Sequence, residues 1–167
     1  YQYALIEGKP FGQIMGKNLV KDDQGRILLN ASGDVQVSKD FTAVGCANPD
    51  FMMGLENSFN FGPVNFRFLI DARFGGDVMS VTQSILDQTG VSKTTGDVRN
   101  AGGLVKINAV AADGVTPVTT MDAYKYYNTV GGRSGASGEY MYDATNVSMR
   151  EMSVGYTFNT KKISFIN

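Results

Sequence analysis

Residues 51–74 constrain this chain more than any other stretch, because they fit one long antiparallel hairpin. The arms 51–61 and 64–74 flank Gly62-Pro63. Pairing the arms about that dipeptide places Phe51/Phe74, Met53/Ala72, Leu55/Ile70, Phe59/Phe66 and Phe61/Val64 on one face, with Asn57/Phe68 mixed. The other face collects Met52/Arg73, Gly54/Asp71, Glu56/Leu69, Ser58/Arg67 and Asn60/Asn65. A ribbon that is greasy on one side and charged on the other suits a strand pair between lipid and water. A sheet with one face on a protein core alternates in the same way. The pattern therefore admits two environments.

Composition narrows the choices. A length of 167 residues suits one domain. The chain opens at Tyr1 rather than Met and ends at Asn167, just after an apolar run at 163–166 begins. We therefore expect a segment of a longer protein. The net charge is −1 and the basic residues are scattered, which gives no footprint for nucleic acid. No apolar run approaches the ~20 residues of a membrane helix, and barrel strands need none. Twenty glycines, eight tyrosines and ten phenylalanines suit strands joined by many turns, although the absence of Trp departs from the usual interfacial girdle. Cys46 is the single cysteine, so no internal disulfide forms and a plain thiol is expected. Histidine is absent, which removes Ser-His-Asp, Cys-His and His-zinc chemistry. A hydrolase would need a carboxylate pair, and no spacing marks one. No enzyme is expected, and no catalytic, cofactor-binding, metal-binding or substrate-binding residue is nominated.

Along the chain, 3–6 and 11–20 read as extended, 22–25 (Asp-Asp-Gln-Gly) as a turn and 26–29 as a resumed strand. The turn lacks calcium-loop spacing. The polar, small-residue stretch 30–50 reads as loop. After Gly75-Gly76 a short helix is expected, capped by Asp77, with Val78, Val81 and Ile85 at helical spacing and Gly90 ending it. Residues 91–144 show no sustained pattern beyond a weak strand at 105–111, a helical turn or two at 121–127 and a flexible glycine-serine stretch at 131–138. A long strand is expected at 146–159. Met152, Val154, Tyr156 and Phe158 share one face of it, but Val147 and Met149 are out of phase. A bulge near Arg150 or a protein-covered segment would account for the break. A polar turn at 159–162 and a new strand at 163–166 complete the reading.

Short turns alternate with long connections at 21–50 and 75–144, as in outer-membrane barrels with tight periplasmic turns and long outer loops. Strands of about 11–13 residues match the 9–11 that a tilted crossing requires, with some margin.

Four motifs carry a resemblance. Gly8-Lys9-Pro10-Phe11-Gly12-Gln13-Ile14-Met15-Gly16, Asn48-Pro49-Asp50-Phe51, the run from Phe68 to Asp77, and Tyr142-Asp143-Ala144-Thr145-Asn146-Val147 followed by Arg150-Glu151-Met152-Ser153-Val154-Gly155-Tyr156 occur in that order. Together they resemble segments of SusC/RagA-type TonB-dependent outer-membrane transporters. The resemblance implies an all-β fold with minor helix: antiparallel up-and-down strands from a large transmembrane β-barrel, with long irregular loops carrying a short helix. It implies that 1–167 is a partial barrel domain lacking the plug and the final strands, with 75–144 as a long extracellular loop. The whole barrel would have roughly 22 strands. For the parent protein it implies import of oligosaccharides or peptides at the bacterial outer membrane, with TonB and a SusD-like surface lipoprotein as partners and lipid around the wall.

Within that reading, Glu56, Arg67, Asp71 and Arg73 face the channel, either lining the substrate path or neutralising one another across strands. Tyr124, Tyr126, Tyr127, Tyr140 and Tyr142 are placed to stack on sugar or a partner, or to hold their own loop together. A soluble extracellular carbohydrate-binding module is the competing function. It requires a second sheet or a helix over Phe59, Phe66 and Ile70. Cut from its barrel, the fragment is expected to self-associate through open edges and a bare face.

Overall fold

The computed structural model describes residues 1–158. In chain order the strands and helices are β1 (Gln2–Ala4), β2 (Gln13–Gly16), β3 (Ile27–Leu28), β4 (Thr42–Cys46), β5 (Phe51–Phe61), β6 (Val64–Phe74), β7 (Asp77–Met79), α1 (Val81–Gln88), α2 (Lys93–Asn100), β8 (Leu104–Val110), β9 (Pro117–Asp122), α3 (Ala123–Val130), a 3-10 turn (Ser137–Tyr140), β10 (Met141–Asp143) and β11 (Asn146–Tyr156). They divide into two compact units. One comprises Tyr1–Asn48 and Asp77–Asp143, and the other comprises Pro49–Gly76 with the segment from Ala144. The turn expected at 159–162 and the strand expected at 163–166 lie outside the described residues.

The second unit is a three-stranded antiparallel sheet in the order β11-β6-β5. Gly62 takes φ 60°, and proline's ring fixes a negative φ at the next position. That combination suits a II′ hairpin turn, whose twist matches the strands it joins. The register follows: all eleven β5–β6 partners, from Phe51↔Phe74 to Phe61↔Val64, are those expected from the alternation. The phase break in β11 is a bulge. Met149 pairs with Ile70 and Glu151 with Leu69, leaving Arg150 as the extra residue.

The first unit holds the buried core: Leu19, Leu29, Val35, Ala109, Met121, Val130, Ala136 and Tyr140, with Ile27, Val37, Ile107, Val118 and Tyr126 packed against it. Its sheets are β1-β2-β4, β10-β7 and β3-β8-β9, antiparallel throughout except for the short β3–β8 pairing. The turn at 22–25 forms as expected, with the Asp22 carboxylate accepting the Gln24 and Arg26 N–H groups at 3.0 and 2.8 Å.

Local detail departs from expectation in three places. The stretch read as loop at 30–50 contains β4 and an isolated Leu29↔Val35 bridge. The first helix is capped by Ser80, whose Oγ accepts the Gln83 N–H at 3.2 Å, and not by Asp77. Asp77 lies in β7 paired with β10, and its carboxylate accepts the Cys46 N–H at 2.9 Å. Gly90, at φ 73°, does end that helix region. The strand expected at 105–111 and the helical turns expected at 121–127 form, as β8 and α3, but the stretch 91–144 holds more order than that. It holds α2 capped by Ser92, a β8–β9 hairpin, and α3 capped by Asp122. The fold is all-β with a minor helical part, and the described strands close no barrel.

Candidate functional site

The β11-β6-β5 sheet sorts chemistry by face. On one face lie Phe51, Met53, Leu55, Phe59 and Phe61 of β5, then Val64, Phe66, Phe68, Ile70, Ala72 and Phe74 of β6. The bulge adds Val147, Met149, Met152, Val154 and Tyr156 of β11 to them. Without an extra residue at Arg150, the last three would point the opposite way. This face carries no charged residue, and Asn57 is the polar exception on it. It is also uncovered: Phe51 is 54% exposed, Leu55 51%, Met152 66% and Val154 72%. A dozen such side chains half in contact with the surroundings amount to apolar area on the order of 1,000 Å², beyond the few hundred Å² of an ordinary surface patch.

Aromatic rings bracket the face. Near the open end Phe51 stacks on Phe74, with centroids 4.6 Å apart. Near the Gly62-Pro63 end Phe59 lies 6.2–6.4 Å from Phe61, Phe66 and Phe68, and Tyr156 meets Phe158 edge-on at 4.8 Å. Met53, Leu55, Ile70, Ala72, Val147 and Met149 fill the band between. Ten residue steps from Phe51 to Phe61 cover about 33 Å along the strand, or about 25 Å along the axis at a barrel tilt of about 40°. That height matches the apolar band of an outer-membrane wall.

The opposite face pairs its charges across strands. The Arg67 guanidinium meets Glu56 of β5 at 2.8 Å and Glu151 of β11 at 3.7 Å. Arg150 donates from Nε and a terminal nitrogen to Asp71 Oδ2 at 3.2 and 3.1 Å. Asn65 donates to Asn60 Oδ1 at 2.8 Å and to Ser58 Oγ at 3.2 Å. Exposed ion pairs of this kind contribute about 0–1 kcal/mol each, so the ladder balances charge more than it stabilises the sheet. Three acids (Glu56, Asp71, Glu151) face three arginines (Arg67, Arg73, Arg150). Of the ladder read from Glu56, Arg67, Asp71 and Arg73, the pairs made by Glu56, Arg67 and Asp71 match this geometry. Sequence reasoning left out Arg150 and Glu151 as members; the phase break beside them was the available signal.

The five tyrosines separate by environment. Tyr140 is 4% exposed in the core, and Tyr126 packs against that core with its ring edge-on to Tyr127 at 5.2 Å. Burial, reinforced by the negative charge of Glu139, pushes the Tyr126 hydroxyl up to about 12. Burial and the Asp87 carboxylate raise Tyr140 and Tyr127 as well. These three therefore stay protonated and serve the fold. Tyr124 and Tyr142 remain exposed and available for contact.

No protein-family model matches this chain. Among curated proteins it is similar to the TonB-dependent receptor P39 of Formosa agariphila, 25% identical over 157 residues. The match covers 92% of this chain but only 14% of the receptor, so the chain corresponds to about one seventh of that protein's length. Chain-wide similarity to a TonB-dependent receptor is thus joined to a β-rich fold with one uncharged, uncovered face.

Proposed function

We propose that this chain is a stretch of barrel wall from an outer-membrane TonB-dependent transporter, with the apolar face of β5, β6 and β11 against lipid and the charged face toward the channel. One observation carries the reading: the apolar side chains of three strands converge on a face that holds no charge and stands uncovered. A soluble module would cover Phe59, Phe66 and Ile70 with its own sheet or helix, and Phe59 is instead 39% exposed. The similarity to a TonB-dependent receptor supports the same assignment. The four motifs favour the SusC/RagA type within it. On that basis the parent protein imports oligosaccharides or peptides, is energised through TonB, and works with a SusD-like surface lipoprotein. The excursion 75–144 lies on the extracellular side, and the Gly62-Pro63 turn lies in the periplasm. Removed from its wall and from lipid, the isolated chain associates with copies of itself.

Topology tests this most cleanly. In a Cys46→Ser background, a cysteine replacing Val115, which is 76% exposed in the β8–β9 turn, reacts with a membrane-impermeant maleimide on intact cells. A cysteine replacing Pro63 reacts only after the outer membrane is permeabilised. Equal labelling of both on intact cells, or of neither after permeabilisation, contradicts the assignment.

A further inference from the structure

A cleft of about 650 Å³ opens within the unit formed by Tyr1–Asn48 and Asp77–Asp143, with Lys17, Phe41, Val81, Ile85, Gln88 and Arg133 among its walls. Two of these side chains are cationic, and no acidic side chain lines the cleft. Among the described residues neither cation is paired with a carboxylate. The ammonium of Lys17 lies 5.9 Å from the centroid of the Phe41 ring. Both cations are mounted on fixed backbone. The Lys17 N–H donates to Ser137 Oγ at 2.9 Å, and its carbonyl accepts the Gly138 N–H at 3.0 Å. Arg133 sits in a turn closed by the Gly135 N–H on the Gly132 carbonyl at 2.8 Å. This glycine-rich rim, expected to be flexible from its composition, is close-packed. A Cβ on Gly131 would stand 2.6 Å from the Ser84 carbonyl oxygen, and one on Gly135 would collide with the Val130 carbonyl.

Two unneutralised cations beside flat apolar walls, on a rim that costs little to order, favour a ligand that joins negative charge to a ring or hydrocarbon face. We infer that this cleft binds a carboxylate-bearing nutrient oligomer, its carboxylate held by Lys17 and Arg133 and its flat face against Phe41, Val81 and Ile85. The inference rests on the transporter reading, which gives an exposed cleft in this unit a substrate to meet. Uronic-acid sugars and acidic peptides share the required chemistry.

Calorimetric titration of the purified full-length protein in detergent micelles tests it, with tetragalacturonate, an acidic tetrapeptide and neutral tetragalactose as probes. One carboxylated probe binds at least about tenfold more tightly than the neutral sugar, and which one does so identifies the source. Lys17→Gln and Arg133→Gln each weaken that binding by about tenfold, Lys17→Arg restores most of it, and added salt weakens it further. Unchanged melting of the variants shows that folding is intact. Equal affinity for charged and neutral probes, or full affinity in both glutamine variants, overturns the inference. Protein that enters bilayers but ignores both carboxylated probes refutes the cleft alone, whereas protein that binds them but never enters bilayers refutes the transporter reading.

Discussion

The two units solve the same problem in opposite ways. In the first, Val110, Ala136 and Tyr140 are all but sealed from the surroundings, and residues as distant as Leu19 and Val130 meet in one core. In the second, the largest side chains of β5 and β11 stay in contact with the surroundings. Each buried aliphatic side chain contributes about 1.5–3 kcal/mol through removal from water, so the first unit carries its stabilisation internally. The β11-β6-β5 sheet forgoes that term in water and, on the transporter reading, recovers it where lipid replaces water. On that reading one unit is stabilised by its own core, and the other by its medium.

The largest effect breaks the sheet's side of this contrast. Deleting Ser153 turns Val154 and Tyr156 toward Arg67 and Asn65, and folding into bilayers, followed by heat-modifiable gel migration, falls to background. Deleting Arg150 removes the extra residue of the bulge together with its exposed pair to Asp71, and leaves every apolar side chain on its own face. The ladder then runs regularly from Met149 to Glu151, and folding persists. Next in size, Leu29→Ala in the core of the first unit costs about 2–5 kcal/mol, seen as a lowered melting temperature with or without lipid. Leu55→Arg costs about 2–4 kcal/mol when refolding into bilayers is measured, and close to nothing in water, where Leu55 is already exposed. Glu56→Gln breaks an exposed pair with Arg67 and changes stability by at most about 1 kcal/mol.

The smallest effect concerns the β8–β9 turn. Hydrogen bonds from the Thr116 hydroxyl, the Thr116 N–H and the Val115 N–H hold the Asp113 carboxyl down to about 2, from an ordinary value of 3.8. Because the folded value is depressed, the carboxylate's support for the turn is complete above 3.8 and is lost as pH falls through about 2. An NMR titration of the Asp113 side-chain carbon shows its midpoint near 2, and a midpoint near 4 would show the turn to be open.

What the sequence made legible follows from range. Alternation around Gly62-Pro63 is local, so every β5–β6 partner was readable from 51–74 alone. The break at Arg150 was visible, yet a bulge and a covered segment predict the same residues on one strand. Only the partner β6 distinguishes them. Asp77 and Ser80 are both good capping residues, and the choice between them depends on β7 pairing with β10 some sixty residues away. Of the elements at 93–130, only a weak strand at 105–111 and a helical turn or two at 121–127 were legible, because each helix spans only eight residues and the polar α2 buries little beyond Thr95. Ala109 of β8, Met121 of β9 and Val130 of α3 instead share a core with Leu19, Leu29 and Val35, which lie far off in the chain. The tyrosines could not be sorted from sequence for the same reason.

The most direct test of the two-faced wall is a nitroxide scan from 146 to 156 in the full-length protein in liposomes, comparing collisions with oxygen, which concentrates in lipid, and with a water-soluble nickel chelate. Oxygen maxima at 147, 149, 152, 154 and 156, with the period broken once at Arg150, are the predicted result. An unbroken two-residue period through Arg150, or nickel maxima at those five positions, would contradict it.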